Sequence, residues 1–173
     1  NGDVTIRFGN VYGNDMLFNN VIVNGDALAG NEEIRIMGNR VRAIIWNSSA
    51  HFLYITNNYI RKNSTSFNSL SINDLKDSGA KIQPIRNNSF ELRSSGSALV
   101  FASIGVSNAQ FQVFNNVFDR QTTSSYSPLF IPTVVAGSVD ISYNFADVSS
   151  TYLNGSLNNG TNMVSTAYAL NAN

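Results

Sequence analysis

Apolar and polar residues alternate along this chain in short runs, and the runs break at asparagine. One phrase returns six times, with an apolar residue three positions before an Asn and another two positions after it. Its copies are Leu17-Asn20-Ile22, Ile36-Asn39-Val41, Ile55-Asn58-Ile60, Ile85-Asn88-Phe90, Val113-Asn116-Phe118 and Ile141-Asn144-Ala146. The anchoring Asn residues lie 19, 19, 30, 28 and 28 positions apart. Period-two alternation predicts a pleated strand with one buried face on each side of the Asn. The Asn predicts a tight corner, because it tolerates a left-handed backbone at little cost. Recurrence at such a period marks stacked units that cover one another's apolar faces.

Two aliphatic columns follow, one of Ile36, Ile55, Ile85, Val113 and Ile141, the other of Val41, Ile60, Phe90 and Phe118. Neighbouring strands lie about 4.8 Å apart, so the anchoring amides should form a hydrogen-bonded ladder. Each anchor should be buried and near-left-handed. Asn-Asn is also ordinary turn chemistry in any all-β chain; the two apolar columns, kept in every copy, are what favour the repeat.

Composition agrees with strands and corners. Asn accounts for 26 of 173 residues, and only 13% of side chains are charged. Such a chain suits helices poorly, and no window carries a capped 3.6-residue apolar stripe. Eleven basic and eleven acidic residues cancel, and without a basic cluster nucleic acid is excluded as a partner. No apolar run reaches the roughly 18 residues that a membrane-spanning helix needs. The absence of Cys suits a secreted protein and a cytosolic one alike. One domain, 1–173, is expected, with regular repeats over 15–148 and irregular turns over 149–173. The chain starts at Asn1 with strand-like Val4–Phe8 and no capping helix, which reads as a segment of a longer molecule.

From Asp15 to Val148, the six phrases resemble those of the right-handed parallel β-helix proteins, the group that includes pectate lyases, phage tailspikes and many bacterial surface proteins. The resemblance implies an all-β fold, a right-handed parallel β-helix (solenoid) of about six coils. It implies three sheets, with the Asn corner between the second and third. Tyr152–Asn162 resembles the final irregular turns of large bacterial surface β-helices. The fold hosts many activities, so function has to be read from sites.

Three positions after the anchors stand Val23, Arg42, Arg61, Glu91, Asp119 and Asp147. Stacked in order, Arg61 adjoins Glu91, and Glu91, Asp119 and Asp147 follow one another. Carboxylates about 5 Å apart repel; either the side chains splay into water, with Arg61–Glu91 a weak surface pair, or a hard cation such as Ca²⁺ bridges them. No other cofactor is implied.

The later repeats carry extra chain at Lys62–Asn68, Arg93–Gly96 and Arg120–Ser127, ahead of strands expected at Ser69–Asn73, Ala98–Ser103 and Pro128–Val135. These Ser- and Thr-rich loops, with Phe67 and Tyr126, should cluster on one side, where binding sites on rigid scaffolds sit. Trp46 is either a sugar platform or a residue packed in a corner.

Lyases of the resembled group hold acidic metal ligands and a basic proton acceptor beside the first sheet. Here the three expected first-sheet strands carry no Lys, Arg or His, and Asp74 is the nearest acid. Glu91 and Asp119 are the best-spaced carboxyl pair for a hydrolase, but on another sheet. His51 has no positioned partner and reads as structural; Asp3, Asp26, Glu32, Glu33 and Asp77 read as solubilising charge. Sequon-like triplets such as Asn63-Ser64-Thr65 arise by chance in so Asn- and Ser-rich a chain. No catalytic motif appears. The reading is an extracellular or cell-surface, non-catalytic β-helix module, a rigid scaffold or adhesion segment that meets a polysaccharide or a surface-protein partner. The alternative is part of a polysaccharide lyase or hydrolase, or a phage tailspike.

Overall fold

The computed structural model describes residues 2–7, 9–24, 33–46, 52–63, 68–72, 82–93, 96–101, 110–120, 126–131, 138–146 and 153–155. The strands among them are β1 (Val4–Ile6), β2 (Gly9–Tyr12), β3 (Asp15–Val23), β4 (Glu33–Met37), β5 (Arg40–Trp46) and β6 (Phe52–Thr56). There follow β7 (Tyr59–Lys62), β8 (Leu70–Ile72), β9 (Ile82–Arg86), β10 (Ser89–Leu92), β11 (Gly96–Phe101) and β12 (Gln110–Phe114). The last are β13 (Val117–Arg120), β14 (Tyr126–Ile131), β15 (Ser138–Ser142), β16 (Phe145–Ala146) and β17 (Leu153–Gly155). No helix occurs among the described residues, and every strand pairing is parallel.

Among the described residues the strands form two sheets where the resemblance implies three. The smaller runs β15-β12-β9-β6-β4-β2. The larger forks at β5, whose Arg40–Val41 pair with β7 while Ile44–Trp46 pair with β8. One branch continues β10-β13-β16, the other β11-β14-β17. The fork has a local cause. Arg40–Trp46 contains no turn-forming residue and runs straight through, whereas Asn, Ser, Thr and Gly divide the later repeats at the same place.

Both expected apolar columns are present. Ile36, Ile55, Ile85 and Val113 are fully buried and stand in register, and Ile141 is the register partner of Val113. Val41, Ile60, Phe90 and Phe118 are equally buried, and the rings of Phe90 and Phe118 stack at 5.0 Å. A further inward column runs Ile34, Leu53, Gln83, Phe111. There the β6–β9 ladder meets Pro84, which has no N–H to give, and the buried Gln83 Oε1 accepts the Leu53 N–H at 3.0 Å.

The corner differs from expectation in two respects. The anchors are buried, but the left-handed residue is the one before each anchor: Gly38 (φ 66°), Asn57 (58°), Asn87 (56°), Asn115 (52°) and Tyr143 (52°). The first rung is also misplaced by the sequence reading. The ladder begins at Asn14, preceded by Gly13 at φ 62°, with Val11 register-paired to Ile36 and Met16 to Val41. Asn20 instead sits past a register shift in β3, where Asp3 receives its backbone N–H and Nδ2 and Arg42 Nε donates to its Oδ1. Asp3 therefore braces this irregularity rather than serving only as surface charge. Val23, placed outward by the misassigned anchor, is buried against Trp46.

The exposed left-handed position can be tested by itself. Asn57→Gly should be nearly neutral, while Asn57→Ala should cost about 1 kcal/mol, because a Cβ in a left-handed residue meets the following carbonyl. Urea midpoints of the two variants check this, and equal midpoints would refute the assignment.

Candidate functional site

The ladder at the corners is the most regular polar feature of the molecule. Each anchor's Oδ1 accepts two bonds from the rung before it, one from the backbone N–H and one from Nδ2. The pairs are Asn39 to Asn58, Asn58 to Asn88 and Asn88 to Asn116 at 3.0 Å, and Asn116 to Asn144 at 2.8–2.9 Å. The other Nδ2 proton reaches back to the carbonyl of the aliphatic residue one repeat earlier, as Asn58 does to Ile36 O at 2.8 Å. Asn39, Asn88, Asn116 and Asn144 do the same with Val11, Ile55, Ile85 and Val113. A carboxamide has two acceptor sites and two donors, and at Asn39, Asn58, Asn88 and Asn116 every one is used. These inner rungs are structural.

The charged column holds the expected neighbours in part. Glu91 is the register partner of both Arg61 and Asp119. Its side chain is only 10% exposed, and Oε1 receives Arg93 Nε, with Arg61 Nε 3.7 Å away. Arg61 Nε is buried without a hydrogen bond. Arg93, two residues on from Glu91, was read as loop and is the partner that reasoning missed. Asp147 lies outside the described residues, and no group of three or more His, Cys, Asp or Glu suited to a metal occurs among the described ones. As a Ca²⁺ donor Glu91 fits poorly, because two guanidinium groups already face its oxygen and would repel the cation.

Of the glycan candidates, Trp46 and Tyr126 are among the described residues. Trp46 is 1% exposed, packed with Val23 and Ile72 in register. A buried ring has no face for a sugar, so Trp46 is a core residue. Phe67 and His51 lie outside the described residues. Tyr126 is not in a loop; it opens β14, opposite Gly96 of β11.

Two groups were missed. On the outer face of the smaller sheet, Arg35 donates to Glu33 at 2.7 Å and lies 5.3 Å over the Tyr54 ring, while Tyr54 Oη donates to Glu33 at 3.4 Å. The hydrogen bond to Glu33 and its charge raise the Arg35 pKa. The signal was present in the alternation, since Glu33 and Arg35 share a face and Tyr54 is the register partner of Arg35. Such a patch can bind a ligand through its charges and its aromatic face.

The second group is Lys62, which points inward in the column of Leu92 and is 1% exposed. Burial pushes its pKa below the ordinary 10.5. The unfolded chain then holds the proton more tightly, so stability falls as pH drops from 10.5 through the folded value. Lys62→Met should flatten that slope. Melts across the alkaline range check this, and an unchanged slope would refute the assignment.

Compared with models of known families, with curated proteins and with solved structures, the chain has no match in any of the three.

Proposed function

We propose that the chain is a right-handed parallel β-helix that serves outside the cell, or on its surface, as a rigid and non-catalytic scaffold or adhesion module. The observation that carries the reading is the unbroken ladder from Asn14 to Asn144 beside two fully buried columns. Each corner is bonded to the one before and the one after, so a bend would break several buried hydrogen bonds at once. A fold that spends its polar groups this way resists deformation.

The inserts support a presenting role. They interrupt successive repeats at one place, between β7 and β8, between β10 and β11, and between β13 and β14. The flanking strands pair in register, so the points at which the inserts begin and end stand in line along the sheet. A glycan or surface protein would meet the molecule there, near Phe67 and Tyr126. A carboxylate held by Arg61 and Arg93 supports ion pairing rather than acid–base work at Glu91. A glycan array read together with a cleavage assay on uronide polysaccharides tests the reading. Binding without cleavage, weakened by Phe67→Ala, is expected. Cleavage that Glu91→Gln or Asp119→Asn removes would overturn it.

A further inference from the structure

The corners have an outer side as well as a buried one. Just before the anchors, the left-handed residues Asn57, Asn87, Asn115 and Tyr143 are exposed, Tyr143 by 57%. Gly38 and the three Asn residues suit that backbone. A tyrosine does not, because a bulky side chain is disfavoured at positive φ. Asn87 and Asn115 are exposed with a rung on either side of each, so the exposure belongs to the corner position itself. Little burial offsets the strain at Tyr143, and strain held at an exposed side chain points to a role outside the core.

Groups of three kinds surround it. The Tyr143 ring meets that of Phe114 edge to face, with centroids 5.4 Å apart and planes at 66°. Phe114 is half-buried and lies beside Arg86, its register partner on β9. Arg86 is exposed, and among the described residues no carboxylate pairs with it. Next in the chain, Asn87 Oδ1 accepts a hydrogen bond from Asn115 Nδ2 at 2.8 Å. That bond orients both amides. It leaves Asn87 Nδ2 and Asn115 Oδ1, a donor and an acceptor, without a partner among the described residues. The cluster spans three successive rungs, roughly 10 Å at the usual strand spacing.

We propose that Arg86, Asn87, Phe114, Asn115 and Tyr143 form a binding site for a carboxylated sugar. A pyranose ring has an apolar C–H face that lies flat on an aromatic ring. Its hydroxyls both donate and accept, which the adjoining amides match. Its carboxylate takes the planar guanidinium of Arg86 in a charge-assisted contact. A neutral sugar would leave Arg86 unused, and an acidic peptide would lack the stiff apolar ring face. Strands β10 and β13 separate this corner from the inserts that follow them. The site therefore stands or falls apart from any ligand near Phe67 and Tyr126.

Calorimetric titration of the full chain with sialyllactose, trigalacturonate, lactose and hexaglutamate tests the proposal. At least one of the two acidic sugars should bind, and which one does tells a terminal acid from a uronate chain. Lactose should bind about tenfold more weakly, and Arg86→Gln should remove that difference. Hexaglutamate should not bind. Tyr143→Asn should weaken the acidic sugar by about tenfold while melting no lower than wild type, because Asn suits the left-handed backbone. Phe67→Ala should leave this affinity unchanged. Absence of binding by both acidic sugars would overturn the site, and equal binding of lactose or hexaglutamate would overturn the ligand class. A Tyr143→Asn protein that melts lower yet binds as wild type does would assign Tyr143 to stability and overturn its role. Loss of binding in Phe67→Ala would move the site to the inserts and overturn its place at the corner.

Discussion

Ile55→Asp is expected to abolish cooperative folding of the chain. Ile55 has no exposed surface and stands in the middle of its column, with Ile36 on one side and Ile85 on the other. Losing the side chain removes about 2–3 kcal/mol of apolar burial. The carboxylate adds several kcal/mol more, because no cation is in register to pair it and no water reaches it. Together these consume the 5–15 kcal/mol margin typical of a whole domain. Ile55→Val, which keeps the column filled, should cost only about 1 kcal/mol. Urea melts followed by circular dichroism separate the two. A native-like midpoint for the Asp variant would mean that the Ile column does not face the core.

Asn58→Ala should be the second most damaging change, at about 3 kcal/mol or more. The side chain accepts from the Asn39 backbone N–H and Nδ2, and it donates to Ile36 O, Thr56 O and Asn88 Oδ1. Truncation leaves at least two buried groups without partners, each costing roughly 1–3 kcal/mol. Asn58→Asp sharpens the test. It keeps the acceptor but loses the donors, and its carboxylate would face the oxygens of Ile36 and Asn88. The charged form is disfavoured in the fold, so the variant's pKa rises and its stability should recover as pH falls from about 7 to about 4. A loss of the same size at both pH values would mean that the donors of Asn58 do not matter.

The comparison between sequence and structure turns on particular residues. Ile36, Val41 and Asn39 could be placed without coordinates, because a pleated strand has period two and a corner fixes the phase on either side of it. The same reasoning could not choose between the members of an Asn-Asn pair. Either tolerates a left-handed backbone, and only the buried bonds of the second show that the first makes the turn. The Gly38-Asn39 copy, with its glycine ahead of the anchor, held that information. It also pointed to Gly13-Asn14 as the true first rung. Leu17–Ile22 fits the template as well, and only the pairing of β3 with β5, with its register shift between Met16 and Asn20, excludes it.

Glu91 teaches the same lesson about sites. Its neighbours Arg61 and Asp119 followed from counting, yet Arg93, the partner that closes on it, came from a segment assigned to a loop. Trp46 was ambiguous in the sequence because an aromatic ring suits a core and a sugar equally.

By itself, then, the sequence determined the all-β class, the corner positions from Asn39 onward and the two buried columns. Each of these depends on local periodicity and on offsets of a few residues. The tertiary structure alone decided where the ladder starts, which corner residue is left-handed, how the larger sheet forks at β5, and which charges meet. Those features depend on which strand lies beside which, and hydrogen bonds between residues 19 to 30 positions apart set that.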